Sequence, residues 1–460
     1  EAHLLLEQFT GADENDQDCA EWWYRKAVAE AADNIGSVVS MRRQVQLLGK
    51  QLDVPGEIMS IFSVGACVIF SGHMIDHPDR KAHGLTPRFP ADTALENDVA
   101  TAISKELEQW DAKVGFVSAG CGSDILFAEQ MILRKAELHI VLPFDREDFY
   151  KTSVDFGLPE MSGWRTRCDE VLSQATEVHY ATTEKFLGDD LLFDFVNRYT
   201  QGLALSRAEQ LGVKPIALVV KDPSAQSFVG GTSFFLKHWE KTKQEYREIN
   251  LAKLRSRALG TPEVADAAEP DRTQPPTPPT PTSHRVVKAM LFADVAHFSK
   301  LREDQTLAFF VLFLNKVAEL IDQARVKPIF KNTWGDGLYL VFDEPEDCAE
   351  FALSLLTAMS NIRFEDFGLP KELTVRIGIH TGPVYRKPDP IIGRDNYFGS
   401  HVNRTARIEP VTLPGCVYGS EQIAAMLAVD GGEKFVCEFV GVEKLAKEYD
   451  SCPLYQLSYR

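Results

Sequence analysis

Three rhythms of apolar and polar positions follow one another along the chain. Residues 1–54 carry helical spacing: DCAEWWYRKAVAEAADN sets Trp22, Ala27, Ala29 and Ala31 among good helix formers, and SMRRQVQLLGKQLD follows. Residues 55–257 alternate short apolar runs with longer helical stretches. The strands expected are Ala66–Phe70, Gly115–Ser118, Leu138–Leu142, Glu177–Tyr180 and Ile216–Val220. Between them Leu95–Trp110, Asp124–Lys135, Trp164–Ala175 and Leu191–Leu211 have helical periods. Such alternation predicts βαβ units and a parallel sheet with helices on both faces. Residues 232–257 read as one charged helix running into a linker. Residues 285–460 change rhythm again. Val286–Asp294 is a strand, and Leu307, Phe310, Val311, Leu314, Val317 and Ile321 mark one face of a long helix. A hairpin around Gly335–Asp336–Gly337, a helix at Asp347–Ala358 and a strand at Leu373–His380 complete a βαββαβ order with an antiparallel sheet.

Between these units lies ALGTPEVADAAEPDRTQPPTPPTPTSH, residues 258–284. It has no apolar period and too little apolar surface to order itself, so it reads as a disordered linker, partly extended by its prolines. The paired helices of residues 1–54 resemble the tail of a tetratricopeptide-type array, although one pair does not establish a repeat. The fold class is therefore α/β plus α+β: a helical lead-in, a Rossmann-like parallel-sheet domain at 55–257, a linker, and a ferredoxin-like domain at 285–460.

Charge narrows the partners. Lys and Arg total 49 against 67 Asp and Glu, a net charge of -18. That balance argues against nucleic acid or an anionic membrane as the main partner, since both need a basic face. No run approaches the roughly 20 apolar residues of a membrane span. The eight cysteines form no CxxC pair, so they read as free thiols in a reducing cytoplasm. The chain opens on Glu1 rather than Met and reads as a fragment or a processed product.

The chemistry concentrates in the last unit. Asp294 closes the strand in AMLFADVAHFSK, and Asp336 sits in the turn of KNTWGDGLYLVF. Taken singly, these are a helix cap and a turn residue. Placed together at one sheet edge, two carboxylates hold hard cations such as Mg²⁺ or Mn²⁺, which recruit triphosphate oxygens and help activate a hydroxyl. The segments FADVAHFSKL, KNTWGDGLYLVF, RIGIHTGPV and NYFGSHVNRTARIE come in an order and spacing that resemble class III adenylate and guanylate cyclases, over nearly all of residues 286–458.

That resemblance implies a nucleotide cyclase turning a nucleoside triphosphate into a cyclic nucleotide and pyrophosphate with two metal ions per site. Asp294 and Asp336, with the Val295 backbone, would hold the metals, and Val295, Ala296, His297, Phe298 and Ser299 would cradle phosphate. Asn403 and Arg407 would position the ribose and stabilise the transition state, and their four-residue spacing places them on one helix face. A phosphate-binding lysine would be Lys447 or Lys444. The family builds each site from two subunits, so the resemblance implies a homodimer with shared active sites.

The family reads the base at two positions that fall on Asn332 and Asn396. Adenine-specific members carry Lys and Asp there, and guanine-specific members carry Glu and Cys. An amide donates and accepts, so it suits adenine, cytosine or, flipped, uracil. Trp334 stands on the same face, where it packs the sheet, narrows the pocket toward a pyrimidine or stacks on a purine. ATP is the expected substrate. A UTP or CTP cyclase in a defence signalling system is the runner-up, GTP ranks below both, and a non-catalytic dimerising scaffold is the rival class.

Upstream, CVIFSGHMID ends a strand at Ser71–Gly72–His73, and VGFVSAGCGSDILFAEQ places Gly120, Gly122 and Asp124 at a strand-to-helix turn. With AELHIVLPF, this resembles the Rossmann-like superfamily of LOG phosphoribohydrolases and DprA-type proteins, without the PGGxGT loop that hydrolysis would need. Gly72, Gly120, Gly122 and Asp124 are thus candidates for a small nucleotide or phosphosugar ligand. His73 and His139 read as ordinary side chains rather than metal ligands. The whole reads as a cytoplasmic signalling enzyme whose Rossmann-like unit senses a ligand and controls the cyclase, by docking on it or through dimerisation.

Overall fold

The computed structural model describes residues 14–31, 34–50, 54, 56–82, 87–223, 231–260, 285–446 and 451–460. Most of the expected linker therefore lies outside the described residues, as does Lys447. Among the described residues no helix is long and apolar enough to cross a membrane.

The lead-in consists of helices α1 (Glu14–Glu30), α2 (Ile35–Leu48) and α3 (Gly56–Ile61). Next come β1 (Ala66–Gly72), α4 (Asp79–Ala82), α5 (Thr93–Gln109), β2 (Ala112–Val117), α6 (Ser123–Leu133), β3 (Glu137–Leu142) and α7 (Arg146–Ser153). The unit continues with α8 (Ser162–Gln174), β4 (Glu177–Tyr180), α9 (Leu191–Leu211), β5 (Pro215–Lys221), α10 (Thr232–Trp239), β6 (Glu245–Asn250) and α11 (Leu251–Leu259). The six strands form one parallel sheet in the order β4-β3-β2-β1-β5-β6. Val68, Val114, Ile140 and Leu218 are fully buried, as strands covered on both faces require.

Residues 232–257 are not the single helix expected. The chain breaks at Lys243, whose backbone is left-handed at φ 57, and EYREIN forms β6 at the sheet edge. Four of its six side chains are exposed, which is why its pattern lacks a strand's apolar signature, and charge on an edge strand blocks unwanted pairing. The helical period resumes in α11 and covers residues 258 and 259, the first two of the expected linker.

The C-terminal unit runs β7 (Arg285–Ala296), α12 (Glu303–Gln323), β8 (Phe330–Trp334), β9 (Gly337–Phe342), α13 (Pro345–Ser360) and β10 (Thr374–Asp389). It ends with β11 (Arg394–Phe398), α14 (Ser400–Ile408), β12 (Val417–Ser420), α15 (Glu421–Asp430), β13 (Phe435–Lys444) and β14 (Ser451–Tyr459). Its mixed sheet has the order β13-β14-β12-β10-β7-β9-β8, with β11 paired to β10. β10, β7, β9 and β8 are antiparallel neighbours, and β10 and β12 run parallel. Phe309, Phe313, Val317 and Ile321 of α12 join Ala289, Leu291, Leu338 and Leu340 in the core under this sheet, whereas Leu307, Phe310 and Val311 of the expected face are exposed, so the buried stripe is rotated from the one the sequence indicated.

The two units touch through α9 and α15. A Cβ on Gly202 would lie 2.0 Å from the Ala425 carbonyl oxygen, so the helices cross where only glycine fits. Ala425 and Met426 share an apolar cluster with Val196, Tyr199 and Leu203. Polar contacts surround it. Arg285 makes a bidentate pair with Asp189 at 2.6 and 2.5 Å, Arg198 pairs with Asp430, and Gln422 Nε2 donates to the Tyr180 carbonyl at 3.2 Å. Each sheet keeps its own core, and the two units meet through this α9–α15 contact.

Candidate active site

The site is assembled by register. In the β7–β10 ladder Arg376 stands directly opposite Asp294. In the β8–β9 hairpin Trp334 pairs with Gly337, leaving Gly335 and Asp336 as a two-residue turn. Gly335 takes φ 80 at its first position, which a side chain disfavours. Because β7 lies beside β9, the end of one strand and the turn of the hairpin meet. Asp336 faces Asp294 there, close enough to feel its charge. Burial first, then the Asp294 charge, raise its carboxyl to about 6. Arg376 Nη2 donates to Asp294 Oδ2 at 2.7 Å and its Nε to Glu409 Oε1 at 2.5 Å. Burial lifts Glu409 to about 7 despite Arg376 beside it.

Three carboxylates around one guanidinium therefore carry more negative charge than the site neutralises. Carboxylates crowded so that one is raised by its neighbour's charge are a donor set for a hard divalent cation, whose charge offsets theirs. Asp294 Oδ1 and the Asp336 carboxyl are the atoms that Arg376 leaves for it. Val295 and Ala296 are paired with β10, opposite Val375 and Thr374. The phosphate segment thus divides. Its first two residues belong to the strand, while His297, at φ 70, turns the chain into a short 3-10 turn over Phe298–Lys300. Sequence reasoning missed Arg376 and Glu409, because what singles them out is a cross-strand pairing and a helix end rather than a motif.

The expected base-reading residues are placed unequally. Asn332 is exposed on β8. Trp334 is 53% exposed, its ring against Phe292 and over Gly337, where a Cβ would lie 2.4 Å from the indole nitrogen. Asn396 is already engaged: its Nδ2 donates to Asp389 Oδ2 at 2.9 Å and its Oδ1 accepts from the Tyr397 amide at 2.8 Å. A base would have to exchange those partners. Asn403 and Arg407 lie on α14, and neither bonds to Asp294 or Asp336 among the described residues. Arg407 Nε is buried with no hydrogen-bond partner among the described residues. Lys444 is exposed near the end of β13. Close by, His380 and His401 stack in the core, joined at 2.7 Å, and burial holds both well below the usual histidine range.

In the first unit, a cavity of about 310 Å³ lies beyond the ends of β1 and β2, lined by Gly72, Gly120, Asp124, Arg88, Asn197 and Thr232 among others. Asp124 accepts from the amides of Gly72 at 3.2 Å and Gly120 at 3.3 Å, so it ties the two loops together with N–H groups otherwise open to phosphate. Burial raises its carboxyl to about 7. Gly122 has φ 94, and a Cβ there would meet the Ile75 nitrogen at 2.8 Å, so this glycine serves the turn.

Residues 282–450 match the family model described as the adenylate and guanylate cyclase catalytic domain. Guanylate cyclase 2G of Rattus norvegicus is 31% identical over 158 residues, covering 31% of this chain and 14% of its own. The Mus musculus protein of the same name is 30% identical over 158 residues with the same coverage. The chain thus spans about 14% of the length of these curated relatives. Among solved structures, the guanylate cyclase domain of RhGC from Catenaria anguillulae in complex with GTP is 19% identical at a TM-score of 0.33, covering 38% of this chain and 97% of that one. The adenylyl cyclase CyaB from P. aeruginosa is 18% identical at a TM-score of 0.33, covering 38% and 95%. The family-model match thus assigns residues 282–450 a likeness to the adenylate and guanylate cyclase catalytic domain.

Proposed function

We propose that the chain is an adenylate cyclase working as a homodimer, with ATP as substrate and two divalent ions, Mg²⁺ or Mn²⁺, per site. One observation carries this reading: Asp294 and Asp336 meet at the end of β7, close enough for the Asp294 charge to raise the Asp336 carboxyl, inside a domain that matches the cyclase family model. A metal pair there would supply charge for the triphosphate and acidify the ribose hydroxyl. The chain's own residues would do the rest. The reaction joins the ribose 3′ oxygen to the α-phosphorus and expels pyrophosphate. Arg376 fixes the orientation of Asp294 from across the ladder. Arg407, with its planar fork of donors, reaches across the dimer to the developing negative charge at phosphorus, and its buried Nε, without a partner among the described residues, supports that role. Asn403, one turn earlier, holds the ribose. His297, Phe298 and Ser299 offer their amides to phosphate after the strand ends.

A pyrimidine triphosphate is the second reading, favoured by Trp334, whose ring covers Gly337 beside exposed Asn332. GTP, suggested by the rodent relatives' name, ranks third because neither Asn332 nor Asn396 is the acidic or thiol residue expected for guanine. The test is a competition. The chain receives equimolar ATP, GTP, CTP and UTP with Mn²⁺, and the cyclic products are resolved by mass. Cyclic AMP should dominate, and Trp334→Leu should favour purines further. A cyclic pyrimidine product dominating in the wild type would transfer the assignment to the second reading.

The order β4-β3-β2-β1-β5-β6 supports a Rossmann-like reading of the first sheet, and β10-β7-β9-β8 a ferredoxin-like core in the second. In the first, the strand order reverses between β1 and β5, where such sheets bind ligands beyond their carboxyl ends. The 310 Å³ cavity sits there, which supports a small nucleotide or phosphosugar as the regulatory ligand. The α9–α15 contact supports docking as the route by which that ligand reaches the cyclase.

A further inference from the structure

Strands β3 and β4 repeat one short pattern, Glu137–Leu138–His139 and Glu177–Val178–His179. They are parallel neighbours with His139 opposite Glu177. Alternation therefore brings Glu137, His139, Glu177 and His179 to one face of the sheet. His139 Nδ1 lies 3.0 Å from His179 Nε2, and Glu177 Oε2 lies 3.9 Å from the first and 3.6 Å from the second. Ligands around a tetrahedral zinc at ~2.1 Å stand about 3.4 Å apart. The triangle needs shifts of only a few tenths of an ångström to centre an ion. Both imidazoles are buried, while Glu177 is 53% exposed and marks the side from which an ion enters.

The other ring nitrogens strengthen the case. His139 Nε2 faces Glu137 Oε1 at 2.7 Å, and Glu137 is itself gripped by Arg207 through two bonds of 2.7 Å. His179 Nδ1 faces Glu421 Oε2 at 3.2 Å, and Glu421 also accepts from the Tyr199 hydroxyl. Each histidine that binds a metal characteristically donates its remaining N–H to a carboxylate, and both do so here. Proton counting points the same way. Three contacts run in a row, Glu137 to His139, His139 to His179 and His179 to Glu421, and each needs one proton. Two neutral imidazoles carry two. The middle contact therefore requires a third proton, and so a buried cation, or a dication that takes both inner lone pairs.

We propose that His139, Glu177 and His179 bind a zinc ion at the junction of the two domains, with Glu421 of α15 supporting it from the cyclase side. Two imidazoles and a carboxylate form a nitrogen and oxygen set suited to Zn²⁺ rather than Mg²⁺, which separates this site from the carboxylates around Asp294. His139 then departs from the ordinary side chain that the sequence alone indicated. Because Glu421 orients His179, metal loading and domain docking strengthen one another.

The experiment titrates the metal-stripped full chain with Zn²⁺ by calorimetry in saturating Mg²⁺, and with Co²⁺ as a spectroscopic probe. One Zn²⁺ should bind per chain, and Co²⁺ should give the intense visible bands of a tetrahedral site. Glu177→Gln, at a half-exposed position that spares the fold, should lose most of the affinity and the bands. Glu421→Gln should weaken binding about 10–100-fold while leaving all three ligands in place. Circular dichroism confirms that both variants are folded. Equal Zn²⁺ stoichiometry and affinity in the wild type and folded Glu177→Gln would overturn the proposal. So would a wild type that binds no Zn²⁺ under Mg²⁺, leaving a protonated histidine as the occupant.

Discussion

At the scale of single residues, what was legible in the sequence was side-chain chemistry tied to a local motif. Asp294 and Asp336 could be named because a strand end and a glycine turn announce themselves, and the fold brings them together. Arg376 could not, since its importance comes from facing Asp294 across a ladder between residues 82 positions apart in the chain. Asp124 was legible as a helix-opening acid, but its partners were not. It holds two glycine amides, and burial raises its carboxyl to about 7. A carboxyl whose value is raised on folding binds its proton more tightly in the folded state. Its ionisation therefore costs stability, and that cost grows as pH rises from about 4 to about 7. The upper bound is about 4 kcal/mol, three units at 1.36 kcal/mol each. Asp124→Asn should abolish this part of the pH dependence, so that the variant gains melting temperature on the wild type between pH 5 and pH 8. Thermal scans across that range check it, and parallel pH profiles would refute the buried-acid reading.

Among elements, those with a clean apolar period were found within a few residues, because burial on one or both faces fixes that period. β6 was lost for the opposite reason. An edge strand with four exposed side chains carries no such signal, and its Glu, Tyr and Arg suit a helix equally well. The α9–α15 crossing was also invisible, since nothing in GLALS shows that another helix passes over Gly202. Its structural consequence is testable. Gly202→Val places side-chain atoms where the Ala425 carbonyl lies at 2.0 Å from the first carbon, and overpacking of this kind costs about 1–3 kcal/mol. Hydrogen exchange should show both helices losing protection while the central strands of each sheet keep theirs. Unchanged exchange in α9 and α15 would mean that the two helices do not pack in solution.

For the whole molecule, the order of units was readable and their relation was not. A proline-rich stretch between two rhythms told of two units, but the Arg285–Asp189 and Arg198–Asp430 pairs join residues far apart in the sequence. The proposed composite site belongs to this scale as well. Asp294→Ala and Arg407→Ala should each be inactive alone. Mixed and allowed to exchange subunits, they should regain up to about a quarter of wild-type activity, because half the dimers are mixed and each holds one intact site of two. An exchanged, dimeric mixture with no activity would rule out sharing between subunits.

The most direct measurement follows cyclic nucleotide and pyrophosphate together, from ATP with Mn²⁺, for the wild-type chain and for Asp336→Ala. The wild type should form both products in equal amounts. The variant, folded by circular dichroism, should lose about a thousandfold in rate, the equivalent of about 4 kcal/mol of charge stabilisation at the transition state. Pyrophosphate without a cyclic product, or an Asp336→Ala chain as active as the wild type, would contradict the assignment of this domain as a metal-dependent nucleotide cyclase.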